Sequence, residues 1–154
     1  MKLEGPLADR GRWQADACSI DKAMGVVGSR SAMLMIREAF YGTTRFDDFA
    51  SRVGVTDAVA AARLKDLARH GIFEKRPYRQ PGQRTRYEYA LTEMGRALLP
   101  AVLALMQWGD KYLQADGGPL EVVDGEGEPV RVDVRSGNEV VGDDDLHVRV
   151  NHSC

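Results

Sequence analysis

The chain has 154 residues, 29% of them charged, with a formal net charge of −2 and two cysteines. That length suits one domain, or one domain with an appendage, and can bury a core without covalent staples. No apolar run reaches membrane-spanning length, the first eleven residues are polar, and Cys18 and Cys154 stand far apart. These features argue against a transmembrane helix, a secretory signal and a disulfide framework, and predict a cytoplasmic protein.

The net charge hides an asymmetry. Residues 10–96 hold 16 Lys/Arg against 10 Asp/Glu, a surplus of +6, whereas residues 110–154 hold 4 against 11, a deficit of −7. Screening confines charge effects to about 10 Å at ordinary salt, so phosphates would feel the basic body and not the acidic tail.

Residues 1–17 read as a loose N-terminal arm. A first helix is predicted over residues 19–27, with Ser19 as its cap, Asp21 in its first turn and Gly28 as its stop. A second covers residues 30–41. Its dense apolar residues Met33, Leu34, Ile36, Ala39 and Phe40 mark the centre of the domain. After the break at 42–44, Thr44 is the candidate cap of a short helix over 46–53 whose inward face is Phe46, Phe49 and Val53. Gly54 makes a turn. Thr56 then caps a helix over 56–70, with Val59, Ala60, Leu64 and Leu67 inward, and Gly71 ends it.

Two strands follow, over residues 72–76 and 84–91, with Pro81-Gly82 at the tip between them. Tyr87, Tyr89 and Leu91 alternate with Arg86, Glu88 and Ala90, the period of a half-buried strand. Thr92-Glu93 opens a long helix to about residue 113, and Pro100 inside that pattern should kink it or move its start. Beyond residues 116–118 the pattern changes to short strand-like runs over 120–123, 130–135, 139–141 and 146–150, separated by Gly- and Asp-rich turns. The predicted class is therefore α+β, mainly α: a winged helix-turn-helix over residues 18–115, a long C-terminal dimerisation helix, and an acidic, strand-rich antiparallel appendage over 119–154.

Two short helices joined by a tight turn, then a basic hairpin, is a layout that puts one helix in the DNA major groove and the hairpin along the backbone. Thr56, Asp57, Ala58 and Ala61 would face the groove, where small side chains allow close approach and Thr or Ala can touch a thymine methyl. Arg63 and Lys65 would reach bases or phosphates, or Arg63 would instead pair internally with an acid. Arg76, Arg79, Arg84 and Arg86 surround the hairpin tip without an intervening acid. They are either phosphate or minor-groove contacts or generic solvated charge. In the long helix, Leu99, Val102, Leu103, Met106, Trp108 and Tyr112 offer more apolar surface than one small body needs. That surface is either core or a helix–helix dimer interface.

With those residues in view, residues 18 to about 113 resemble the HxlR family of winged-helix transcriptional regulators, relatives of the MarR type. The resemblance rests on Cys18-Ser19-Ile20, Ile36-Arg37-Glu38, Arg45-Phe46-Asp47-Asp48-Phe49 and Ala62-Arg63-Leu64-Lys65-Asp66-Leu67. It continues through His70-Gly71-Ile72-Phe73, Arg76-Pro77-Tyr78, Tyr87-Glu88-Tyr89-Ala90-Leu91-Thr92, Gly95-Arg96-Ala97-Leu98-Leu99-Pro100 and Trp108-Gly109. The order and spacing of these pieces over about three-fifths of the chain make it specific. It implies a homodimer on a near-palindromic double-stranded operator and control of gene expression, often of a neighbouring operon. Two positions depart from the family pattern: Ser31 stands where Trp is usual, and Ala60 where Leu is usual.

Cys18 opens a helix, where the dipole favours thiolate, and some relatives use a cysteine there to sense oxidants or electrophiles. A small apolar residue at a helix end is the alternative. A small-molecule effector between the dimer helices, lined by Met106, Trp108 and Tyr112, competes with plain hydrophobic packing. His147, His152 and Cys154 lack a tight zinc spacing, so no metal or other cofactor is assigned. No phosphate loop, G-x-S-x-G, H-E-x-x-H or paired-cysteine motif is present, so no enzyme is expected.

Overall fold

The computed structural model describes residues 1–11, 18–79, 82 and 85–151. In chain order its elements are β1 (Lys2–Leu3), a 3-10 turn (Gly5–Ala8), α1 (Ser19–Val27), α2 (Arg30–Phe40), α3 (Phe46–Val53), α4 (Asp57–Arg69), β2 (Phe73–Tyr78) and β3 (Arg86–Leu91). Then come α5 (Glu93–Arg96), α6 (Leu99–Leu113), β4 (Arg135–Ser136), β5 (Glu139–Val140), a 3-10 turn (Asp143–Asp145) and β6 (His147–Val148). They fall into two compact units, one of residues 19–121 and one of residues 1–18 with 122–154.

In the 19–121 unit, α2 is the central element and packs on α1, α3, α4, α6 and β3. Ser29 caps it by accepting the Ala32 N–H at 3.1 Å. Its fully buried face is Ala32, Met35 and Ile36, while Met33, Leu34, Ala39 and Phe40 are only partly buried against the core. Of the five apolar residues that marked this helix as the centre, Ile36 is fully buried and the other four pack against the core.

Below α2, Phe49 of α3, Phe73 of β2 and Tyr89 of β3 meet edge to face, with centroids 5.7 Å, 6.5 Å and 6.4 Å apart. Such pairs add to the burial of the rings themselves. Burial also raises the Tyr89 phenol above its ordinary pKa. Gly54, with φ +69°, closes α3 in the left-handed region that favours glycine.

Two local expectations are corrected. Thr44 does not cap α3, since Arg45 holds that position without a side-chain bond. Instead, Thr44 O accepts the Tyr89 N–H at 2.8 Å, and Arg45 bridges Glu88, so the residues before α3 extend the edge of the hairpin. Ser19 already lies inside α1 rather than capping it. Pro100 moves the start of the long helix, one of the two effects expected of it: α5 ends at Arg96, and α6 starts at Leu99 with Pro100 in its first turn, where a missing N–H costs nothing.

In the other unit, β1 pairs in parallel with β6, Lys2 opposite His147 and Leu3 opposite Val148. Residues 2–3, within the arm expected to be loose, are thus tied down, with Lys2 N–H donating to Leu146 O at 2.8 Å and Glu4 N–H to Val148 O at 2.9 Å. β4 and β5 form a two-residue hairpin, and Val123 bridges Pro129. The strand-like runs of the tail shorten to these pieces because many of their Val residues, such as Val134 and Val140, stay exposed and find no opposing sheet face.

Candidate nucleic-acid interface

α4 begins with Thr56, whose hydroxyl accepts the Val59 N–H at 3.4 Å. Ala60, Leu64 and Leu67, spaced i, i+4, i+7, are fully buried and fix which side faces out. The outward side carries Thr56, Asp57, Ala58, Val59, Ala61, Ala62 and Lys65, all exposed. Val59 is a correction to the inward stripe expected from the sequence. It lies about 100° around the helix from Ala60 and is 44% exposed. It joins the small residues of the groove-facing side and could meet a thymine methyl.

Arg63 is half-buried. Its Nε donates to Ser31 Oγ on α2 at 3.3 Å, and its Nη1 lies 3.5 Å from Asp66 Oδ2. Of the two roles open to Arg63, the internal pairing therefore exists, and Ser31 makes room for it where a larger side chain would not. Asp66 is shared with Arg69 at 2.5 Å, and Lys65 and Arg69 are both exposed cations of this helix.

In the wing, β2 and β3 pair antiparallel from Phe73 opposite Leu91 to Tyr78 opposite Arg86. Arg76, Arg79 and Arg86 are exposed, and Gly82 turns at φ +77°. Arg84 and Pro81 lie outside the described residues. Arg76 hydrogen-bonds Glu74, which raises its already high pKa, and it sits opposite Glu88 in the ladder. These acids border the wing arginines from just outside the Arg76–Arg86 stretch.

The pairing gathers Arg86 with residues not expected from the sequence to contact DNA. Arg45, Lys75, Tyr78, Arg86 and Tyr87 line one groove along the wing. The Arg45 guanidinium lies 3.5 Å from the Tyr78 ring centroid, and Lys75 Nζ lies 4.0 Å from that of Tyr87. Stacking holds each cation in place while leaving its N–H groups for an acceptor. Asp47 is an acid in the same lining. The register brings Lys75 and Tyr78 of β2 beside Arg86 and Tyr87 of β3, a meeting that no local pattern encodes.

α6 presents two faces. Val102, expected as a dimer contact, is instead buried in the core of the 19–121 unit, and Met106 faces a cleft against α2. Leu105, Trp108 and Tyr112 are 53%, 54% and 60% exposed, and Leu99 40%. With exposed Ala101 they follow the i, i+4, i+7, i+11 spacing of one helix face. Leu103 is half-buried. Of the three residues expected around an effector, only Met106 borders the cleft; the Trp108 and Tyr112 rings lie 5.8 Å apart on the outer face. Cys18 is a half-buried free thiol just ahead of α1. In the tail, His147 pairs with Glu4, whereas His152 and Cys154 lie outside the described residues.

Residues 26–117, about three-fifths of the chain, match the family described as HxlR-like helix-turn-helix. The chain belongs to the HxlR-like helix-turn-helix family. An uncharacterized HTH-type transcriptional regulator of Mycobacterium tuberculosis is 42% identical over 101 residues, which are 66% of this chain and 63% of that protein. The chain thus spans less than two thirds of the length of the mycobacterial relative.

Among solved structures, PA1607, described as a candidate transcription factor, is 34% identical with a TM-score of 0.78, and the likeness covers 86% of this chain and 94% of that one. That share exceeds the 103 of 154 residues in the 19–121 unit, so the likeness extends beyond it. The redox regulator HypR in its reduced form is 27% identical with a TM-score of 0.56, covering 62% of this chain and 93% of that one. The family and these HxlR-like relatives are transcriptional regulators, not enzymes, and the fold is the mainly helical α+β winged helix expected from the sequence. No helix among the described residues is long and apolar enough to cross a membrane.

Proposed function

We propose that this HxlR-like chain binds double-stranded DNA sequence-specifically as a homodimer and represses a neighbouring gene. The observation that carries the reading is the exposed, small-residue face of α4 (Ala58, Val59, Ala61 and Ala62) on a helix packed against the cation-bearing wing. Few side chains there can read bases through hydrogen bonds, so the wing and DNA shape supply much of the binding. Arg86, Lys75 and Arg45 contact phosphates, joined by Arg79, Arg84 and Arg76. Thr56, Asp57, Ala58, Ala61 and Lys65 approach the groove, while Arg63 stays with Ser31 and Asp66. A second copy of the chain covers the Leu105, Trp108 and Tyr112 face, which pairs two recognition helices on a near-palindromic site with half-sites roughly 34 Å apart.

Fluorescence anisotropy with DNA from upstream of the chain's own gene tests this directly. Saturable binding that survives competition by unrelated DNA is the expected result, and equal competition by any sequence would overturn specificity. A second reading, an effector-binding or protein-interaction module without DNA binding, draws on the apolar cleft between α2 and α6. It would be favoured if no DNA bound even at low salt. Cys18 is the proposed point of response to oxidants or electrophiles, a reading supported by the likeness to the redox regulator HypR.

A further inference from the structure

The groove along the wing encloses about 370 Å³, enough for a compact ligand. Arg45, Lys75 and Arg86 line it against a single acid, Asp47, which leaves a surplus of two positive charges. Among the described residues, no ion pair takes up any of the three cations. Glu88 stands opposite Arg45 and Arg76 in the ladder but does not line the groove. The Arg45–Tyr78 and Lys75–Tyr87 stacks place two of the cations before any ligand arrives, which lowers the ordering cost of binding. Lys75 and Arg86 are exposed, so the charge is reached from solvent. The surplus selects the ligand. A phosphate within a DNA strand carries one negative charge, whereas a phosphomonoester carries about 1.5 to 2 near pH 7 and offers three acceptor oxygens. Coulomb attraction grows in proportion to that charge, and a guanidinium can bind two oxygens of one phosphate.

We propose that this groove is a binding site for the phosphomonoester group of a free phosphorylated metabolite. Its oxygens accept from Arg45, Lys75 and Arg86, and Asp47 limits the charge that the groove takes up. The same three cations are those proposed to hold DNA phosphates. A bound phosphomonoester therefore occupies the wing's share of the DNA contact and weakens binding by competition. That competition rests on the DNA-binding reading; the binding site itself does not.

The test is a calorimetric titration of the DNA-free full chain with phenyl phosphate, and with phenyl sulfate as its singly charged counterpart, at matched ionic strength. Saturable binding of phenyl phosphate at one site per chain, about tenfold or more tighter than phenyl sulfate, is expected. Lys75→Gln/Arg86→Gln should weaken it by about tenfold or more. Both residues are exposed, so the fold should persist. Asp47→Asn should tighten binding severalfold, a gain that misfolding cannot produce. Equal affinity for the two probes, no saturable binding up to about 10 mM phenyl phosphate, or an affinity unmoved in both variants would overturn the proposal. Loss of DNA affinity in the double variant, with no phenyl phosphate bound by the parent, would make the groove a backbone contact alone and overturn it too. Phenyl phosphate should also displace duplex DNA from the parent more effectively than phenyl sulfate does. Binding without displacement would overturn the competition, and a DNA titration without probe tests the DNA-binding reading separately.

Discussion

Arg63 Nε donates to Ser31 Oγ at 3.3 Å, joining α4 to α2 across 32 positions of sequence. The bond turns a cation of the recognition helix away from the groove and uses it for alignment. Ser31→Ala should lower stability by about 1 kcal/mol, the net contribution of one such bond. Urea unfolding would read it as a lower midpoint with an unchanged slope. DNA affinity should rise or hold as Arg63 is released. A parallel fall in affinity at unchanged stability would show that Arg63 reads DNA from its tethered position.

Lys75 and Arg86 line one groove with Arg45, each cation placed by the wing register. Removing both in Lys75→Ala/Arg86→Ala should weaken binding about equally on specific and unrelated DNA. It should also reduce the slope of log K against log salt by about 0.9 for each phosphate no longer neutralised. Anisotropy at several salt concentrations measures the slope, and a slope identical to the parent's would remove the wing from the interface.

Val59 and Leu64 sit on opposite sides of one helix, 44% and 0% exposed. Val59→Ala should leave stability within about 0.5 kcal/mol, as exposed sites usually do, yet alter preference among operator variants. Leu64→Ala should cost about 2–5 kcal/mol through the cavity it leaves. If thermal melts ranked the two the other way round, the facing of α4 would be wrong.

The facing of α4 also marks how far the sequence can be read. Helix positions, the turn at Gly54 and the hairpin are legible because caps, glycines and period-2 alternation are local signals. Val59 misleads because a run of alanines gives too little contrast to tell adjacent positions of a helix apart. The Arg45–Tyr78 stack and the Arg63–Ser31 bond join residues 33 and 32 positions apart, and no local pattern encodes such a meeting. Splitting the charge by region does foreshadow a basic surface on an acidic chain, although Glu74 and Glu88 temper it.

Gly95 in α5 leaves no room for a side chain. A Cβ would stand 2.3 Å from Ile72 O and 2.9 Å from Leu91 Cδ2. Gly95→Ala should therefore cost about 1–3 kcal/mol through overpacking, despite alanine's better helix propensity. A melting temperature at or above the parent's would contradict this close approach.

Cys18, half-buried at the entrance to α1, is the thiol on which oxidant response is proposed to depend. Diamide or peroxide should release the parent from its operator and leave Cys18→Ser bound. Equal release of both in a gel shift would end the idea.

The pairing of Lys2–Leu3 with His147–Val148 has a temporal meaning. Synthesis runs from the N-terminus, so β1 leaves the ribosome with no partner until residues 147 and 148 follow it. The 19–121 unit depends on neither strand and can fold while the tail is still being translated. The small second unit then closes after it, by joining segments 145 positions apart. Joining segments so distant in sequence carries a larger loop-closure cost than forming the local contacts of the helices.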